Sequence, residues 1–110
     1  MHASVASFVA QAIDTHGPFK SVLEIGGRNV NGTVRSLFGP CSYLSIDVTP
    51  GPGVELVADG TQWTNATEVD CVISTNVLEH VEDWRKILLN AYEELSIGGW
   101  LIVTAPGPAF

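Results

Sequence analysis

A chain of 110 residues, 45% of them hydrophobic, is long enough for one domain with a modest core and is not composed like a disordered segment. Its net charge of −7 and pI of about 4.6 argue against nucleic acid or an anionic membrane surface as main partner. No apolar run approaches the ~20 residues needed to span a bilayer.

Residues 1–14 contain no Lys or Arg, so they do not read as a secretory leader. Cys41 and Cys71 lie in separate apolar runs without C-x-x-C spacing. They read as free thiols of a cytoplasmic protein. No metal site is expected.

The first predicted element is a helix over residues 3–15, where Val5, Phe8, Val9, Ala12 and Ile13 recur at three- and four-residue steps. It should cover a sheet face or one edge of a pocket. Ser21, Val22 and Leu23 then open a short buried strand, which Glu24, Ile25, Gly26 and Gly27 close. Val30, Val34, Leu37 and Phe38 follow at helical spacing, and Gly39-Pro40 stops that helix. Strand, glycine turn and helix form a unit that binds nucleotide-like ligands, because glycine lets the backbone approach and a helix start offers unpaired N–H groups. Glu24 is the odd residue. A carboxylate near the end of a buried strand is costly without a partner. It would repel a phosphate and be satisfied by an ammonium group.

Residues 43–47 read as a second strand ending in an acid. Asp47 lies about twenty residues beyond Gly26, the offset at which such an acid reaches ribose hydroxyls. The plainer role is an Asp that starts the Thr49-Pro50-Gly51-Pro52-Gly53 turn; the preceding glycine turn favours the ligand role. Residues 54–58 read as a third strand closed by Asp59-Gly60. Parallel neighbours normally need a crossover of about a dozen residues. The short spacer here implies either an extended return or a marginal strand. Trp63, in the polar loop 61–68, is a lid over the core or a flank for a flat ring.

Residues 69–74 form the fourth strand, followed by a loop or single turn over 75–81. The clearest helix comes next, with Trp84, Ile87, Leu88, Ala91, Tyr92 and Leu95 as one apolar stripe. Asp83 is its expected N-cap, Glu82 and Lys86 an i,i+4 pair, and Gly98-Gly99 its end. Residues 100–105 form a fifth strand, stopped by Pro106-Gly107-Pro108.

The pattern is an α/β fold: an open, mainly parallel sheet of about five strands with flanking helices. Its ligand belongs outside the carboxyl ends of the strands, where strand order reverses. Glu24, Gly26, Asp47, Asp59 and Asn76 all stand at such ends. Each is a weak signal alone; their convergence carries the reading.

These segments resemble a class I S-adenosylmethionine-dependent methyltransferase, in the broad group that includes the quinone-biosynthesis methyltransferases. The matching stretches are VLEIGGRNVNG, YLSID, VADG, VDCVISTNVLEHV and GGWLIVTAP, over residues 20–106. The resemblance implies a Rossmann-like fold and S-adenosyl-L-methionine as cofactor, in one binding domain over residues 1–110. It implies that Glu24, Gly26 and Gly27 lie by the methionine moiety and that Asp47, with Val48 beside it, binds the ribose. Asp59 and Gly60 would hold the adenine amino group, and backbone near Asn76 would line the reactive side. His80 falls where some relatives place a substrate-facing group, so it is the candidate catalytic base. The acceptor implied is a small molecule.

Two departures stand out. The family loop E-x-G-x-G-x-G here has its second and third glycines displaced. The chain also stops after the fifth strand, so the fold is read as a truncated one that keeps the cofactor half. The alternative function is a catalytically incomplete cofactor-binding or interaction module. A nicotinamide-binding domain fares worse, because its pyrophosphate would meet Glu24 and no G-x-G-x-x-G is present. The fifth strand carries no charge, and an unprotected apolar edge invites pairing. That predicts a homodimer, or a separate completing chain, through this strand.

Overall fold

The computed structural model describes residues 3–29, 32–64 and 67–105. Helix α1, Ala3–His16, leads into strand β1, Ser21–Ile25. Strand β2 is Ser42–Asp47, β3 Leu56–Val57 and β4 Val69–Thr75. Helix α2, Trp84–Glu94, is followed by strand β5, Leu95–Thr104. The five strands form one sheet in the order β3-β2-β1-β4-β5, and every pairing is parallel. Among the described residues no helix is long and apolar enough to cross a membrane.

Strand alternation sorts the core into two layers. Val22 of β1, Cys71 and Ile73 of β4 and Ile102 of β5 pack with Val9 of α1 and with Phe19, Val34 and Phe38. Leu23 and Ile25 of β1, Ile46 of β2 and Val72 of β4 pack with Ile87 and Ala91 of α2. The result is a sheet covered on both faces, which is why β1 and β4 read as near-continuous apolar runs.

The structure corrects several expectations. In place of a helix after the glycine turn there is a 3-10 helix, Arg35–Phe38. Its N-cap Val34 makes no side-chain capping bond, and Gly39 (φ 68°) ends it. β-branched Thr33 and Val34 and the missing cap disfavour a longer helix. Val30 and Asn31, the loop residues Asn65 and Ala66, and the expected stop at Pro106, Gly107 and Pro108 lie outside the described residues.

The third strand is marginal. It keeps two residues, paired to Ile46 and Asp47. The Glu55 N–H donates to the Ser45 carbonyl and the Ala58 N–H to the Asp47 carbonyl. Trp63 packs on the α2-side core, as a lid.

Asp83 makes no side-chain capping bond to α2, and Lys86 lies 3.8 Å from Asp83 rather than pairing with Glu82. The buried face of α2 is Ile87, Ala91 and Glu94, whereas Tyr92 is 79% exposed. The helix does not run to Gly98-Gly99. Leu95 turns extended and pairs with Val69, while Cys71 pairs with Trp100. The surplus residues bulge out of β5 at Gly98, whose φ of +82° suits glycine. Inside the bulge Ile97 is fully exposed.

β5 lies at the edge of the sheet, as the sequence implied. A second groove of about 610 Å³ runs beside it, lined by Phe8, Ala12 and His16 of α1 and by Trp100 and Leu101 of β5. The His16 ring stacks on Trp100 at 3.5 Å between centroids.

Position along β5 therefore decides the cost of a substitution. Ile102 is 5% exposed and sits in the core. Ile102→Ala should lower unfolding free energy by about 2–5 kcal/mol, and Ile97→Ala should change it by less than about 0.5 kcal/mol. Urea denaturation of the two variants checks the contrast.

Candidate functional site

Strand order reverses between β1 and β4. There the carboxyl ends of the first four strands open on a crevice of about 770 Å³. Glu24, Gly26, Gly27, Asp47, Val48, Asp59, Gly60, Asn76 and His80 all line it. The sequence positions thus converge on one cavity. Among the described residues no group of His, Cys, Asp and Glu is arranged to hold a metal ion.

Glu24 is 4% exposed and accepts a hydrogen bond from the Tyr43 hydroxyl at 2.7 Å. Burial pushes its carboxyl above the usual range. The Tyr43 bond and the Arg35 guanidinium act the other way, and Asp47 adds a smaller upward push. By linkage, neutral Glu24 favours the folded chain. That contribution is full below the ordinary glutamate range and is lost as pH rises through the raised value. Burial also drives Tyr43 up, with Glu24 adding to it, so the phenol stays a donor at neutral pH.

The glycine turn does not present donors to a ligand. The N–H groups of Gly26 and Gly27 both donate to the Ile46 carbonyl, at 2.8 and 3.0 Å. The expected cradle of helix N–H groups is likewise missing, because the segment before β2 is a short 3-10 helix. What glycine supplies is room. A Cβ on Gly26 (φ +79°) would stand 2.3 Å from Val77 Cγ2, and one on Gly27 would stand 1.7 Å from Ser45 Oγ. The ends of β1, β2 and β4 can approach only because those atoms are absent.

Asp47 accepts from the Arg28 N–H through Oδ2 at 3.1 Å and from the Thr49 N–H through Oδ1 at 2.9 Å. It therefore does start the following turn while still lining the crevice. Asp59 also builds a turn. Its Oδ1 accepts from the Thr61 N–H and hydroxyl at 2.9 and 2.8 Å, and these bonds lower its pKa.

Asn76 has the positive φ of 55° that Asn tolerates better than most residues. Its N–H donates to the Thr104 carbonyl, which ties the end of β4 to β5. Ser74 donates to the Ile25 carbonyl at 3.0 Å and ties β4 to β1. His80 closes a 3-10 helix, Leu78–His80, on the rim. Its side chain is 79% exposed and its Nε2 is 3.9 Å from Glu79.

Sequence reasoning missed Tyr43, Ser45, Arg28 and Arg35. Period-two spacing on β2 places Tyr43, Ser45 and Asp47 on one face, and Glu24 is paired with Ser45. That signal was present for the first two. Arg28 packs against Gly51, a contact no local pattern announces.

Ser45 Oγ is fully buried and makes no hydrogen bond among the described residues. Ser45→Ala should therefore be neutral or slightly stabilising. Gly27→Ala should cost about 1–3 kcal/mol through overpacking, and Ser45→Ala in the same chain should recover part of the loss. Thermal unfolding of the two single variants and the double variant checks the coupling.

The fold has known counterparts. The N-methyltransferase NodS from Bradyrhizobium japonicum, solved with S-adenosyl-L-homocysteine, superposes with a TM-score of 0.72 at 21% identity, over 91% of this chain and 59% of that one. CalS10, an amino pentose methyltransferase from Micromonospora echinaspora solved with S-adenosylmethionine, gives 0.74 at 19%, over 94% and 50%. The sugar N-methyltransferase KedS8 from Streptoalloteichus gives 0.78 at 14%, over 98% and 51%. At such identities the likeness speaks for the fold alone, and the chain spans roughly half to three fifths of these neighbours' length. No curated protein sequence matches it. A family profile described as a methyltransferase domain matches residues 1–110. With that match over its whole length, the chain belongs to the methyltransferase domain family.

Proposed function

We propose that this chain is one domain, over residues 1–110, that binds S-adenosyl-L-methionine and serves methyl transfer to a small-molecule acceptor. The observation that carries the reading is the convergence of Glu24, Asp47 and Asp59 on one crevice at the point of strand reversal. The donor set fits such a ligand. Buried Glu24 calls for a cation, and an ammonium group supplies one. Asp47 can accept from two ribose hydroxyls, and Asp59 from the adenine amino group beside Gly60. Gly26, Gly27 and Val48 shape the wall, and Asn76 lines the reactive side. A pyrophosphate fits poorly, because it would face three carboxylates and a turn whose first two N–H groups are already used.

When bound, the cofactor supplies a methyl group on a sulfonium centre, already activated for transfer. The chain's own contribution is orientation, which accounts for most of what such a transfer needs. His80, exposed at the rim, serves as base where the acceptor must lose a proton.

The free thiols Cys41 and Cys71 support a cytoplasmic location. The edge position of β5, with Trp100 and Leu101 about two-fifths exposed, supports a homodimer or a completing chain through that strand.

Calorimetry with S-adenosyl-L-homocysteine tests the ligand assignment. The wild type should bind, and Asp47→Ala should bind at least tenfold more weakly while keeping its circular dichroism; hydrogen bonds to a charged group contribute about 1.5–3 kcal/mol. Unchanged affinity would remove Asp47 from the site. Light scattering tests the assembly. A dimer is expected at micromolar concentration, and Leu101→Lys should shift it toward monomer.

A further inference from the structure

The wall of the crevice behind Glu24 holds a polar chain that the ligand assignment leaves unused. Tyr43 donates to Glu24 Oε1. Beyond it, the Arg35 guanidinium lies 4.7 Å from the centre of the Tyr43 ring and is paired with Glu55. Ser45 Oγ and the Glu24 carboxyl carbon both crowd the place where Gly27 lacks a side chain. Glu24 therefore has a tightly bounded position, with one oxygen held from behind.

We propose that Tyr43 is a positioning residue for Glu24. Its hydroxyl holds one carboxylate oxygen so that the other meets the ammonium end of the ligand, and binding of that end displaces a proton from Glu24. The inference rests on the methyl-donor reading above and goes beyond it by linking capture of the ligand to a protonation step.

Among the described residues, the charged and titratable groups facing Glu24 are few. Tyr43 and Asp47 come from β2 and Arg35 from the 3-10 helix, with Glu55 behind it. β4 sets uncharged Ile73 opposite Glu24. Burial favours the neutral acid, and the Tyr43 bond is the largest influence toward the carboxylate. The proton balance is simple: the neutral acid loses its proton to solvent, and the carboxylate left behind pairs with the incoming ammonium group.

The sign follows from linkage. An ammonium ligand favours the ionised acid and so lowers its pKa on binding. Between the bound and free values, affinity rises up to about tenfold per pH unit, and above the free value it is flat. Replacing Tyr43 by phenylalanine removes a bond made to the charged form, so the free value moves up. A tyrosine that only filled space would change affinity equally at every pH.

The test is calorimetry of S-adenosyl-L-homocysteine binding from acidic to neutral pH for wild type, Tyr43→Phe and Glu24→Gln. Carboxyl-carbon NMR titration of the ligand-free proteins runs alongside. Wild-type affinity should rise with pH and level off. In Tyr43→Phe the midpoint should move to higher pH, with affinity recovered on the plateau, and in Glu24→Gln the rise above the ordinary carboxylate range should disappear. Wild-type binding with an unmoved midpoint in Tyr43→Phe, or an equal loss at every pH, overturns the role of Tyr43. Should Tyr43→Phe not fold, Glu24→Gln decides, since a rise retained above the ordinary carboxylate range overturns the link to Glu24. If the wild type binds nothing at any pH, the methyl-donor reading falls. The ligand-free titration then speaks alone: a Glu24 midpoint unmoved by Tyr43→Phe overturns the positioning, and a raised one upholds it.

Discussion

A carboxylate held at the end of the central strand constrains much of this structure. β1 is flanked by β2 and β4 and covered on both faces, and Glu24 is 4% exposed. Its charge has to be met locally. β2 meets part of it with Tyr43, whose ring is backed by Arg35. Glu24 also lines the crevice, beside Asp47 and Asp59.

The glycine turn follows from the same crowding. Gly26 and Gly27 let three strand ends close around Glu24, and their N–H groups are spent on the Ile46 carbonyl. A phosphate-binding turn uses glycine to bare its donors. Here glycine removes volume, and carboxylates from three different strand ends line the crevice. The bonds from Ser74 to β1 and from Asn76 to β5 hold those ends in register.

The other side of the sheet is less finished. β5 lies at the edge, with Trp100 stacked on His16 and a groove running along α1. The bulge at Gly98 turns Ile97 into solvent. Bulges and twists of this kind commonly temper exposed edges. The apolar rim that remains is what makes association part of the proposed function.

The sequence by itself determined the elements whose signals are local. Continuous apolar runs marked β1 and β4, three- and four-residue spacing marked α1 and α2, and polar or glycine residues at strand ends marked Glu24, Gly26, Asp47, Asp59 and Asn76. Tertiary structure decided whatever depended on distant partners. The segment before β2 became a 3-10 helix because no cap supported a longer one. α2 gave way to β5 at Leu95, which pairs with Val69, and Tyr92 lies off the buried face of α2. The support of Glu24 by Tyr43 and Arg35 was hidden for the same reason. Spacing along a chain records which face a residue shares with its neighbours, whereas a hydrogen bond between strands is set by their register, which only the packed sheet supplies.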